Sequence, residues 1–377
     1  MTTLIRIITY TLVALLPMGE LLRFPWIHAT SLRILDILVV LLLFCVFIFR
    51  KKDYQKALQK NWYFLFFSAI LIVSHVWSIH NSTLPSVLYL GRTLLYFQIP
   101  LLLDSVKGII NLCKVTTLLL IGSGILVISA LFQYLFYPAL ANLYYLGYDV
   151  HYYRAVGLLV DPNLLGIVLV FVILYCLYTY KSPARLVLVI TALVVLALTF
   201  SRISIICLFI GVLVIFLKKR VSYTALLFCA AIVGLMLLFI PRQLGEGNKL
   251  LRTNSIVAKS EAWQKGLQLW QKTPLLGIGF NNSQLYKPTV RPFAASIEIP
   301  DNSYYGLDST ILTLLVTTGI IGILAYLLLF GRLLRINDSL KVALTLIYFV
   351  HSFSTNSFFT PTVFLYFMVL YHITEQK

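Results

Sequence analysis

Arg202 interrupts an otherwise apolar run, 186–217. A guanidinium in such a place is costly enough to mark function. Its planar fork matches phosphate oxygens in pairs, so a diphosphate is the natural ligand. The plain alternative is a side chain snorkelling to headgroups. Arg154, in His151-Tyr-Tyr-Arg154, adds a second cation shortly before another apolar run, and Arg92 stands inside the run 84–103, where it can pair with Asp36 or Asp104. Carboxylates collect further on. Asp301, followed by Asn302, and Asp308 precede an apolar run that starts near Ser309. A carboxylate there can act as general base towards a hydroxyl, or serve only the loop or a helix cap. Asp161-Pro162 reads first as N-cap and first helical residue. His351 and Asn356 flank the last polar turn, where a lone histidine is more often a hydrogen-bonded core residue than a base. Nucleotide-phosphate loops, paired-aspartate metal motifs, GxSxG and HExxH are all absent from the sequence.

The elements that must position these residues follow from composition. Of 377 residues 60% are hydrophobic and only 11% charged, which describes a polytopic membrane protein and one membrane domain, 1–377. The net charge of +17 does not argue for nucleic acid, because the cations sit in short clusters between apolar runs. The five cysteines are scattered without metal-ligand spacing, so neither a disulfide nor a metal site is expected. The apolar start lacks an A-x-A-like cleavage site before Glu20 and reads as a retained first span.

About 20 residues cross the hydrocarbon as a helix. This gives about 12 candidate transmembrane helices: 3–19, 32–49, 61–79, 84–103, 112–136, 162–180, 186–200, 203–217, 223–240, 309–330, 340–353 and 357–373. Under strict alternation five cationic clusters fall on one side: 50–60, 107–114, 181–185, 218–220 and 332–341. That side is the cytoplasm, which puts both termini inside and the one long polar interval, 241–308, outside. The run 186–217 is too long for one crossing, and one crossing would misplace Lys218-Lys219-Arg220. Two short helices turning at Thr199-Phe200-Ser201-Arg202 satisfy both constraints. Within the long loop, Ile256, Trp263, Leu267 and Trp270 share one face of a helix over 256–272, opposite Lys259, Lys265 and the glutamines. Outside a membrane this predicts an interfacial helix, or an amphipathic helix packed on neighbouring loops.

The ordered set Arg154-x-x-Gly157…Asp161-Pro-Asn163-x-x-Gly166, Thr199-Phe-Ser201-Arg202, Trp263…Thr273-Pro-Leu-Leu-Gly277-Ile-Gly279-Phe280, Asp308-Ser-Thr…Gly319-Ile-Ile-Gly322 and His351-Ser-Phe…Asn356 resembles the O-antigen ligase/polymerase family of bacterial envelope membrane proteins. The resemblance implies an all-α, GT-C-like glycosyltransferase that needs no metal, nucleotide or other cofactor. It also implies location in the cytoplasmic (inner) membrane, among membrane lipids. An undecaprenyl-diphosphate-linked glycan would be the donor and a glycan or glycolipid the acceptor. Arg202 and Arg154, with loop cations such as Arg252 and Lys259, would hold the diphosphate. Asp301 or Asp308 would act as base, and Asn302, Arg291 and His351 would position acceptor or loop. Ligases of the family usually carry a histidine in the outer loop. Residues 241–308 contain none, and Asp301-Asn302 stands near its place, which tilts the reading from ligase towards polymerase or a divergent ligase. A transporter or flippase of lipid-linked sugars is the competing class; it would use the same arginines to bind and not to catalyse.

Overall fold

The computed structural model describes residues 2–25, 31–78, 80, 82–140, 151–179, 182–217, 253–282 and 307–374, with isolated helical positions at 227, 231 and 234. The described residues are mostly helical. In chain order the helices are α1 (Thr2–Leu15), α2 (Ile34–Phe49), α3 (Lys51–Lys60), α4 (Trp62–Trp77), α5 (Leu84–Tyr96), α6 (Ile99–Val106) and α7 (Leu112–Phe136). They continue with α8 (Pro162–Tyr178), α9 (Pro183–Leu198), α10 (Arg202–Leu217), α11 (Thr253–Trp270), α12 (Thr310–Leu334), α13 (Ser339–His351) and α14 (Pro361–Ile373). Two short antiparallel strands, β1 (Arg23–Pro25) and β2 (Ser31–Arg33), pair between α1 and α2 with Phe24 opposite Leu32.

Eleven of the twelve apolar runs expected to span are thus helical in the described residues; 223–240 lies almost wholly outside them. Three helical stretches are individually long and apolar enough to cross a membrane: Leu84–Val106 (α5 with α6), α7 and α12. The pair α3–α4, bent by 79°, is a fourth if it forms one span, and seven further apolar helices are shorter than 18 residues. Two departures have local causes. The cationic stretch after α2 is itself a helix, α3, which buries Ala57 and stops at Asn61. Asn61 Nδ2 donates to the Ala57 carbonyl and to Asp104 Oδ2 (3.0 and 2.8 Å), so the turn into α4 is fixed by its own side chain. The run 84–103 breaks at Phe97–Gln98, where Pro100 can open α6 but could not continue α5.

The core forms around α14, in which every residue from Pro361 to Ile373 is buried, and α8, buried over most of its length. Helices apolar all round belong inside a bundle. Aromatic rings from α4, α12, α13 and α14 meet there, with Phe358 against Phe67, Tyr326, Tyr348 and Phe364 at 5.1–6.0 Å. Elsewhere large apolar side chains face outward, among them Phe44, Ile128, Phe132 and Leu135, each more than 60% exposed. Such a surface suits lipid, not water.

Element directions define two ends. At one, Lys60 pairs with Asp104 (3.1 Å), His372 Nε2 lies 3.7 Å from the same carboxylate, and Tyr178 donates to Asp338 (3.3 Å). The other, the loop end, receives residues 253–282. It also holds a buried ion network that resolves the Arg92 alternative. Arg92 pairs with Asp36 (3.0 Å) and donates to the Ser31 carbonyl, Tyr96 donates to Asp36 (2.8 Å), and Arg33 pairs with Glu20 (2.9 Å). Removing one member of such a buried pair strands its partner's charge, so the network ties the segment after α1 to β2, α2 and α5.

Candidate functional site at the loop end

The turn between α9 and α10 comprises Thr199, Phe200 and Ser201, so Arg202 is the first residue of α10. Phe200 adopts a left-handed conformation (φ 50°), which reverses the chain in three residues. The freed backbone groups are met locally. Thr199 Oγ1 donates to the Leu196 carbonyl (2.6 Å) and accepts from the Ser201 N–H (3.2 Å). Arg154 reaches across from the segment before α8 and its Nε donates to the Thr199 carbonyl (2.8 Å). Arg154 is only 6% exposed, so this guanidinium is built into the turn that presents Arg202.

The start of α8 docks on the same turn. Asp161 caps the helix as the sequence suggests, accepting from the Asn163 and Leu164 N–H groups (2.7 and 2.8 Å), with Pro162 next. Asn163 Oδ1 then accepts from Ser201 Oγ (2.8 Å), and Ser201 and Ser204 share a hydrogen bond (2.9 Å). His351, at the end of α13, is fully buried. Its Nδ1 lies 3.0 Å from Ser357 Oγ, and the Asn163 backbone and Lys259 ammonium act on the ring electrostatically. His351 is therefore a hydrogen-bonded interior residue at the meeting point of α8, α13 and the turn before α14.

A second interruption lies inside α12. Gly319 has φ 66° and ψ −162°, which no helix contains and only glycine adopts readily. The broken ladder is completed by the segment after α11. The Ile278 and Gly279 N–H groups donate to the Val316 and Thr317 carbonyls (3.0 Å each). On the far side of the break, the Ile320 and Ile321 N–H groups donate to the Pro274 and Leu275 carbonyls (3.0 and 3.3 Å). A Cβ on Gly277 would lie 2.3 Å from the Thr317 carbonyl carbon, and one on Gly319 would lie 2.3 Å from the Leu275 oxygen. Irregular backbone inside an apolar helix survives only when protein supplies its partners, as here. Helix α4 grips the same segment: Ser74 Oγ donates to the Leu276 and Thr317 carbonyls (3.0 and 2.7 Å). His75 Nδ1 lies 2.9 Å from the Phe280 carbonyl. A carbonyl only accepts, so Nδ1 is the donor there, which leaves Nε2. That nitrogen is buried and has no hydrogen-bond partner among the described residues.

Helix α11 packs its Trp263 side on α12 beside Leu312, while Val257 and Leu267 remain exposed. Lys259 bridges to the turn after α13, donating to the Ser354 carbonyl and hydroxyl (2.9 and 2.7 Å). Asp308 is exposed and, with Lys259, Ser309 and Ser354, lines a small cleft between α11 and that turn. Ser309 caps α12 and donates to the Ser352 carbonyl (3.1 Å), and Thr310 donates to Asn356 Oδ1 (3.2 Å).

Of the residues singled out in the sequence, Arg202, Arg154, His351, Lys259 and Asp308 thus come to one end of the bundle; His151 lies on the segment that leads to Arg154. Arg252, Arg291, Asp301 and Asn302 lie outside the described residues. Asn163, Ser201, Ser204, Ser354 and His75 were not picked out as site residues, although the Asp-Pro-Asn and Thr-Phe-Ser-Arg motifs contain two of them, Asn163 and Ser201. Among the described residues no three His, Cys, Asp or Glu side chains group as metal ligands would.

Comparison with curated proteins returns no match. Residues 186–327 match the family model for O-antigen ligase. The matched stretch runs from α9 past the break in α12, so it contains Arg202, α11, Asp308 and Gly319, and over that stretch the chain is similar to O-antigen ligases.

Proposed function

We propose that the chain is an envelope glycosyltransferase of about 12 spans, GT-C-like in architecture. It moves a glycan from undecaprenyl diphosphate to a sugar hydroxyl on the outer side of the cytoplasmic membrane, without metal or nucleotide. Both termini are cytoplasmic and the loop end faces outward. The observation that carries this reading is the placement of Arg202, Lys259 and Asp308, all within the matched stretch, at the same end of the bundle as Asn163, Ser201 and His351.

In this mechanism Arg202 holds the diphosphate in its planar fork, and Lys259 and Arg252 add charge where the leaving group develops it. Arg154 supplies a further positive charge and keeps the Arg202 turn rigid. The acceptor oxygen attacks the anomeric carbon as the bond from that carbon to the diphosphate oxygen breaks. The acceptor's proton passes to a carboxylate, Asp301 or Asp308, and the electron pair leaves on the diphosphate. One displacement inverts the anomeric configuration. General-base help is worth about 10²–10⁴-fold, which a carboxylate can supply to a reaction whose leaving group is already good. Asn302, Arg291 and His351 position acceptor and loop.

The test is reconstitution of the purified protein in vesicles with a lipid-diphosphate glycan. Lengthened glycan chains, or transfer to an added glycolipid, are the expected products. Movement of the donor between leaflets with no new glycosidic bond overturns the enzyme reading in favour of a flippase. Labelling of Lys265→Cys from the cytoplasmic side alone overturns the orientation.

A further inference from the structure

At the end opposite the loop, Arg50 pairs with Asp53 and Lys60 with Asp104. Arg6 and Lys114 differ. They come from the second turn of α1 and the first turn of α7 and line one cavity of ≈ 660 Å³, with Tyr10 and Asn111 on its wall and no carboxylate in its lining. Neither has an ion-pair partner among the described residues. Both are held in place. Arg6 Nε donates to the Ile109 carbonyl (2.6 Å), which directs the remaining guanidinium nitrogens elsewhere. Lys114 Nζ stands 4.9 Å over the Tyr10 ring, and Tyr10 Oη accepts from the Asn111 N–H (2.9 Å), fixing the ring beneath it.

Further along α7, beyond the cavity, the same face is apolar and exposed. Ile121, Ile125 and Ile128 follow Lys114 on one face of α7 and are 57%, 46% and 68% exposed. Ile7, 56% exposed, borders the cavity from α1. Lys114 to Ile125 spans roughly 16 Å of helix, about one leaflet of a ~30 Å hydrocarbon core. A cation at the start of a membrane-length helix and a second beside it on α1, with an apolar strip along α7 for one leaflet, match a ligand with an anionic head and a hydrocarbon tail.

We propose that the cavity between α1 and the start of α7 binds an anionic phospholipid. Its phosphate sits between Arg6 and Lys114, and an acyl chain lies along Ile121 and Ile125. The site is at the end opposite the proposed transfer chemistry and does not depend on it. A free phosphate would use the cations but leave the apolar strip without a role.

The test uses the whole purified protein in mixed micelles of neutral detergent, with phosphatidylglycerol or phosphatidylcholine added. Bound lipid is counted by native mass spectrometry and thermal stability is followed in parallel. Wild type is expected to retain phosphatidylglycerol over phosphatidylcholine and to unfold at higher temperature with it. Arg6→Gln with Lys114→Gln should weaken that binding roughly 20–30-fold, at about fivefold per charge near a surface. Lys114→Gln alone, on an exposed side chain, should give about fivefold. Lys51→Gln with Lys52→Gln removes the same charge from the same end and should change little. Equal retention of the two lipids by wild type overturns the proposal. So does an equal loss in the Lys51/Lys52 pair, which would mean general surface charge. Stabilisation by inorganic phosphate alone, matching that by phosphatidylglycerol, overturns the lipid assignment.

Discussion

Two interruptions of apolar helix, the Thr199–Ser201 turn and the Gly319 break, lie at the same end of the bundle and satisfy their backbone differently. The turn adds side chains to its local backbone bonds: its own Thr199 hydroxyl, and Arg154 from the next segment upstream. The break is met by backbone, through four hydrogen bonds from Pro274–Gly279, a segment some 40 residues earlier. The first arrangement leaves a charged residue, Arg202, at a helix start. The second welds the segment after α11 into the bundle. The lesson is a division of labour: the turn presents chemistry, and the break anchors the helix that carries Lys259 above it.

That division can be broken at its glycine with the largest expected effect. Gly319→Ala combines a positive φ with a Cβ placed 2.3 Å from a carbonyl oxygen, and should cost at least about 3 kcal/mol. Thermal unfolding in detergent checks this against Gly331→Ala, whose Cβ would meet nothing within 4 Å. The control should be neutral or gain up to about 1 kcal/mol. Similar behaviour of the two variants would mean that the break is not clamped.

Arg154→Gln comes next. It removes a charged donor from a buried carbonyl, an expected loss of about 1.5–3 kcal/mol. If the turn works as described, the same variant lowers transfer by more than its loss of folded protein accounts for, because Arg202 loses its support. Ser201→Ala is milder, about 1 kcal/mol. A cycle with Asn163→Ala should return a coupling of at least about 0.5 kcal/mol, and additivity of the pair would remove the proposed link between α8 and the turn. Lys259→Ala is the smallest in stability, below about 1 kcal/mol for a partly exposed side chain bonded to neutral acceptors, read in the same unfolding assay.

The contrast also explains what could be read from sequence. The turn was legible because length and charge both demanded it: 186–217 is too long for one crossing, and Thr, Ser and Arg are conspicuous in an apolar run. Helix α11 was legible from its periodicity, and its Trp263 side rests on α12. The Asp161 cap was legible from Asp-Pro alone. The Gly319 break was not, because a glycine in an apolar helix has no local signature and its partners lie far away in sequence. His75 was hidden for a similar reason. It sits inside an apolar run, and only the docking of Phe280 gives its ring an orientation.

The account rests most on Arg202 as a diphosphate ligand. The measurement that tests it is single-turnover glycan transfer by Arg202→Lys and Arg202→Ala in vesicles containing the lipid-diphosphate donor, with folded protein quantified in each. Lysine keeps the charge but loses the paired geometry, so transfer by Arg202→Lys should fall at least about 10²-fold with the fold intact. Full transfer by folded Arg202→Ala would contradict the account.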